Sequence, residues 1–139
     1  MRERVQVAMS ENGFERITVR SGDFLFNEGE TGQAAYLIVS GRVEIRTGVK
    51  TDIPRTVAKP GKGDIVGEMA LFDNKPRMAS CIAVEDTIVI RISVKEFRAR
   101  LDHTDPVMRS IINILVKRLR EMSEEVAELK RIDWRTPDN

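Results

Sequence analysis

From about Phe14 to Ile92, short apolar runs alternate with glycine-bearing polar turns, the spacing of a small β-barrel or jelly roll. Val43 and Ile45 alternate with Arg42, Glu44 and Arg46, which predicts a strand with one wet face after a tight turn at Ser40-Gly41. Beyond a Glu85-Asp86 turn, Ile88, Ile90 and Ile92 alternate with Val89 and Arg91, and their β-branched content predicts a second strand. Between these, Thr47 to Pro60 carries Lys50, Asp52, Pro54 and Arg55 and reads as a polar excursion around a hairpin. The period changes at Ser93. Ser93 and Glu96 have the spacing of a capping box, opening a helix through Phe97 toward Leu101. Asp105-Pro106 then supplies an N-cap and a proline at the first position of a longer helix. Its apolar positions Met108, Ile112, Leu115, Leu119, Met122, Val126 and Leu129 are spaced 4, 3, 4, 3, 4 and 3, a heptad seam. The first half of that stripe is core-packing surface, and the part beyond Met122 predicts pairing with a second copy of the chain. Residues 132–139, with Trp134 and Pro137, are expected to fray.

At 139 residues the chain suits one domain: an N-terminal segment 1–13, a β-rich body 14–92, helices 93–131 and a tail 132–139. Its 23 basic and 22 acidic residues leave a net charge of +1, so no global field draws it to DNA or a membrane surface, and recognition must be local. The single cysteine, Cys81, excludes an internal disulfide and sits in an apolar run as a small buried hydrophobe. Met1-Arg2-Glu3-Arg4-Val5 lacks the apolar core of a signal peptide and no stretch approaches a membrane-spanning length, which predicts a cytoplasmic protein. Catalytic metal sites need several convergent histidines and carboxylates, whereas this chain has one histidine, His103, at the predicted break between helices. With no nucleophile–base pair either, neither an enzyme nor a bound metal is expected.

The candidate chemistry lies in Gly67-Glu68-Met69-Ala70-Leu71-Phe72-Asp73-Asn74-Lys75-Pro76-Arg77-Met78-Ala79-Ser80. Gly67 permits close backbone approach, and a short helix over Glu68 to Phe72 would turn N–H groups toward a phosphate. Arg77 offers a rigid cationic fork for phosphate oxygens. Glu68 is an acceptor-only group beside an anion site, a sensible neighbour when the ligand brings a hydroxyl, as a ribose does.

This segment resembles the phosphate-binding cassette of cyclic nucleotide-binding domains: G-E, an apolar residue, A-L, a variable stretch, then P-R-x-A-S. Gly22-Asp23, Glu28-Gly29-x-x-Gly32, Tyr36-Leu37-Ile38-Val39-x-Gly41-x-Val43 and Gly63-Asp64-x-x-Gly67 follow the family order, so the resemblance runs from roughly Gly13 to Met122. It implies a mainly β protein with C-terminal helices, namely a cupin-like jelly-roll barrel with a short phosphate-binding helix and a long C-terminal helix. The ligand-binding set it implies is Gly67, Glu68, Met69, Ala70, Arg77, Met78, Ala79 and Ser80. By the same resemblance Gly67, Ala70 and Ala79 are expected as backbone donors, Glu68 as partner of the ribose 2′-hydroxyl and Arg77 of the exocyclic phosphate oxygens, while Ser80 also reads as a structural hydroxyl. Met78 departs from the small residue usual there, and guanine-selective members often carry threonine, so cyclic AMP is the expected ligand, with cyclic GMP the second choice. For the base lid the long helix offers Leu115, Leu119 and Met122, with Arg118 or Arg120 able to stack on a purine. Trp134 is a weaker candidate. The expected partners are the nucleotide, a second copy through the helix, and a downstream protein. The alternative is a degenerate member of the fold acting as a protein-interaction module without ligand. A catabolite-activator-type transcription factor would need a helix-turn-helix after the long helix, and the residues from Ile132 are too few for one.

Overall fold

The computed structural model describes the backbone of residues 6–9 and 13–135, and side chains from residue 13 to 129 except that of 127. Nine strands run as β1 (Gln6–Met9), β2 (Glu15–Val19), β3 (Phe24–Phe26), β4 (Ala34–Ser40), β5 (Val43–Thr47), β6 (Arg55–Ala58), β7 (Ile65–Val66), β8 (Ser80–Ala83) and β9 (Thr87–Ser93) among the described residues, followed by α1 (Val94–Asp102) and α2 (Pro106–Arg135). They form two antiparallel sheets, one ordered β1-β2-β9-β4-β7 and the other β3-β8-β5-β6. This mainly antiparallel architecture with C-terminal helices matches the expected class. The closed, cupin-like barrel is not seen, because the described strands divide between two open-edged sheets. The N-terminal segment contributes β1, which pairs with β2 from Gln6↔Thr18 to Met9↔Glu15.

The core draws on both sheets. Ile17 and Val19 of β2, Tyr36 and Ile38 of β4 and Val89 of β9 meet Leu25 and Phe26 of β3, Val43 of β5 and Cys81 and Ala83 of β8. Fully burying one such aliphatic side chain stabilises the fold by about 1.5–3 kcal/mol. On β9 the alternation is resolved in favour of Thr87 and Val89, which are buried, while Ile88, Ile90 and Ile92 take the half-covered face. Thr87 tolerates full burial because its hydroxyl bonds the carbonyls of Glu85 and Arg42.

The turn at Ser40-Gly41 exists but carries the chain from β4 in one sheet to β5 in the other. Gly41 has φ 96 and packs so closely on Thr87 that a Cβ there would lie 2.5 Å from its Oγ1. The excursion from Thr47 to Pro60 is a hairpin, with Thr47 opposite Arg55 and Ile45 opposite Ala58. Both helix starts fall where predicted: Glu96 N–H donates to Ser93 Oγ at 3.0 Å, and Asp105 Oδ2 accepts from Val107 and Met108 N–H at 3.0 and 3.1 Å. The long helix continues through Arg135, past the predicted end, whereas 136–139, Met1–Val5 and the Trp134 side chain lie outside the described residues.

The chain resolves into two compact units, Met1–Arg98 and Ala99–Asn139. Candidate cassette residues belong to the first and the candidate lid to the second.

Candidate functional site

At the end of β7 the chain turns at Gly67 (φ 68, ψ 21) into a single 3₁₀ turn, Glu68–Leu71. The expected helix is thus shorter and tighter than drawn from sequence. Ala70 N–H bonds Gly67 O at 3.2 Å, and the Phe72 and Asp73 amides both converge on Met69 O at 3.0 Å. Burial of Ala70 and Leu71 anchors the turn from below, which leaves Gly67, Glu68 and Met69 half-exposed above it.

Arg77 is held by two backbone carbonyls. Its Nη1 donates to Gly67 O at 3.0 Å and its Nη2 to Ala34 O at 2.7 Å. Its guanidinium carbon lies 4.1 Å from the centroid of the Phe26 ring, within cation–π distance. Two glycines make the room: a Cβ on Gly67 would sit 2.5 Å from Arg77 Nη1, and one on Gly32 would sit 3.2 Å from the guanidinium carbon and 2.9 Å from Ala70 Cβ. Loss of hydration on burial pulls the guanidinium below the usual arginine range, yet an arginine keeps its charge under such a shift. A guanidinium has five N–H donors, so two carbonyl bonds leave capacity for an anion.

The backbone of Arg77 is pinned to the loop after β3. Arg77 N–H donates to Glu30 O at 2.7 Å, Gly29 N–H donates to Arg77 O at 2.9 Å, and Thr31 bridges to Pro76. Three residues on, Ser80 is buried and its hydroxyl accepts the Glu28 amide at 2.9 Å, the structural role its sequence position allowed. Glu28 in turn accepts the Gly48 amide at 3.0 Å, tying the β5–β6 hairpin turn to the same loop. Cys81 lies beneath, with burial pushing its thiol up to about 12 against the opposing pull of Arg77, so it serves as a neutral core residue. Met78 is 75% exposed and Ala79 half-buried.

Of the eight cassette residues, Gly67 is brought into contact with Arg77, Ala70 lies with Arg77 against Gly32, and Ser80 is held by the loop that pins the Arg77 backbone, while Glu68 and Met69 are half-exposed on the turn and Met78 and Ala79 follow Arg77 in the chain. The candidate lid residues Leu115, Arg118, Leu119 and Met122 all lie exposed on α2, as does Arg120. His103 takes a helix-end position, its Nδ1 2.8 Å from Ala99 O. Among the described residues no three or more His, Cys, Asp or Glu side chains are grouped to hold a metal ion, and no helix is long and apolar enough to cross a membrane. Sequence reasoning missed Phe26 and the Ala34 carbonyl. The sequence has no local signal for either, since the ring is 51 positions from Arg77 and the carbonyl carries no side-chain signature. Gly32 was visible as part of the motif order, but its close approach to Arg77 was not.

Residues 16–104 match the family described as the cyclic nucleotide-binding domain. With the cassette intact and two antiparallel sheets behind it, the chain belongs to that family. It is 35% identical over 124 residues to the cyclic AMP receptor protein of Thermus thermophilus, covering 89% of this chain and 56% of that protein. In structure it is similar to the half-site-occupied form of the EAL enzyme Bd1971, with TM-score 0.71 and 32% identity over 80% of this chain and 99% of that one. The cAMP-bound and cGMP-bound forms of Bd1971 align with TM-score 0.59 at 30% and 31% identity, over 86% and 84% of this chain but about a third, 32% and 31%, of theirs. The chain thus spans about half the length, 56%, of its Thermus relative.

Proposed function

We propose that the domain senses cyclic AMP, with Arg77 holding the exocyclic phosphate oxygens and Glu68 the ribose 2′-hydroxyl. The observation that carries this reading is the seating of Arg77: a half-buried cation, oriented by Phe26 and two carbonyls, beside a 3₁₀ turn that begins with Glu68. In this reading Gly67 and Ala79 supply backbone donors, Ala70, whose own N–H is taken by Gly67 O at 3.2 Å, seats the turn from below, Met69 and Met78 line the ligand, and Ser80 braces the cassette through Glu28. Met78 has no hydroxyl for a guanine, which supports adenine as the base. Recognition needs no metal and leads to no covalent chemistry, so the domain is a sensor and not an enzyme.

Cyclic AMP then acts by favouring one placement of α2, with Leu115, Arg118, Leu119 or Met122 meeting the base. A ligand shifts such an equilibrium only by its differential affinity for the two states, so the lid has to contribute contacts. The exposed stripe from Leu115 to Leu129 supports a homodimer through α2 and a downstream protein partner. The proposed working compartment of the domain is the cytoplasm, with which the free thiol of Cys81 is compatible. A ligand-free interaction module is the weaker reading, because both Glu68 and Arg77 are present.

Calorimetric titration with cyclic AMP and cyclic GMP tests the proposal. Saturable heat with cyclic AMP, weaker with cyclic GMP, is expected. Absence of heat with both, in protein shown to be folded, would leave the interaction module as the better account.

A further inference from the structure

The geometry points to Phe26 as a positioning residue for ligand capture: its ring fixes the Arg77 guanidinium in the plane and place where a phosphate meets it. This inference rests on the phosphate role of Arg77 proposed above, and adds a residue outside the cassette on which that role depends.

Phe26 ends β3 and is 8% exposed, so its ring is part of the core and not a mobile surface group. It stacks on Tyr36 of β4, centroids 6.1 Å apart and planes 25° from parallel, which sets its orientation from the opposite sheet. Arg77 lies over that ring at 4.1 Å. A Cβ on Gly67 would come within 3.0 Å of Phe26 Cε2 as well as 2.5 Å of Arg77 Nη1, so ring, glycine and guanidinium form one close-packed stack. Gly32 closes on the same group from the loop that also pins the Arg77 backbone.

An arginine side chain ordinarily loses much rotamer freedom when it grips a ligand. Here that loss is taken at folding, because the ring, the two carbonyls and the glycine walls hold one conformer in advance. The ring also offers the cation an attractive face in a place where water is partly excluded. Replacing Phe26 by leucine retains apolar bulk but removes both the flat support and the quadrupole, so Arg77 keeps its charge and loses its fixed aim. The effect should then appear in ligand affinity only where Arg77 is present.

The test is a double-mutant cycle of Phe26→Leu and Arg77→Gln, with cyclic AMP affinity measured by NMR titration so that weak binding remains readable. Phe26→Leu is expected to weaken binding about three- to thirtyfold in the Arg77 protein and less than about twofold in the Arg77→Gln protein. In wild-type protein without nucleotide, the Hδ and Hε protons of Arg77 are expected upfield from ring current, and to return toward ordinary positions in Phe26→Leu. An equal loss in both backgrounds would mean that Phe26 only packs the core. No loss in either, or ordinary Arg77 shifts in the wild type, would also overturn the inference, the latter even if Phe26→Leu does not fold. If Arg77→Gln binds as the wild type does, the fault lies instead with the proposed phosphate role.

Discussion

A guanidinium clamped by the Gly67 and Ala34 carbonyls and backed by a phenyl ring meets an anion with little left to order. Arg77→Ala is therefore expected to cost about 2–5 kcal/mol of cyclic AMP affinity, roughly thirtyfold to a few thousandfold, with the thermal transition retained. Isotherms that overlay the wild type would show that the phosphate goes elsewhere. Glu68→Ala should cost less, about 1.5–3 kcal/mol for a charged hydrogen bond, and that loss should vanish when 2′-deoxy cyclic AMP is the ligand. At Gly32 the backbone is not in the left-handed region, so an added methyl acts by crowding alone, 2.9 Å from Ala70 Cβ and 3.2 Å from the Arg77 guanidinium. Gly32→Ala should thus disturb packing by about 1–3 kcal/mol and weaken nucleotide binding, read from parallel melts and titrations. Cys81 makes a pH prediction. Its folded pKa, about 12, is raised, so its contribution to stability is intact below the ordinary thiol range and is lost as pH rises toward 12. Denaturant midpoints should therefore fall with increasing alkalinity less steeply in Cys81→Ala than in the wild type.

At the scale of elements, punctuation was more legible than faces. Ser93 and Asp105 mark real helix starts because capping is a contact between residues two or three positions apart, and such contacts are written locally. Asp105→Ala should cost about 1 kcal/mol of α2 stability, seen first as faster hydrogen exchange at the Val107 and Met108 amides. Period marks β5 and β9 as strands, but β9 shows its limit. Alternation separates Ile88, Ile90 and Ile92 from Thr87 and Val89, and hydrophobicity alone would place the isoleucines inside. Val89 instead pairs with both Ile17 and Ile38 at the middle of its sheet, and the core forms on that side. The short helix expected over Glu68 to Phe72 is a 3₁₀ turn ending at Leu71, since helical propensity does not distinguish the two and Ala70 and Leu71 are buried against the core.

For the whole molecule, assembly and ligand response both run through α2 in the proposed mechanism. If α2 is a dimer seam, full-length protein should sediment as a dimer at concentrations where a truncation after Met122 does not. That truncation removes Val126 and Leu129, 49% and 56% exposed, each worth about 1.5–3 kcal/mol on full burial. Full-length protein that stays monomeric with and without cyclic AMP would refute the seam. Truncation after Asp105 should instead weaken nucleotide binding, because it removes the proposed lid.

What the sequence determined by itself was the chemistry available: an Arg, a Glu and one glycine, Gly67, at spacings that a phosphate and a ribose can use, all within residues 67–80. Those contacts are short-range in the chain, so their signature survives in one dimension. It also determined the helix starts and the strands β5 and β9, whose alternation is local, but not β1 in the N-terminal segment. Tertiary structure alone decided that the strands divide into two sheets, and that Tyr36 would orient Phe26 from across the core. It also decided that Phe26, 51 positions from Arg77, would carry the guanidinium. Such a pairing depends on packing between segments remote in sequence, and nothing in the local pattern of either residue records the other.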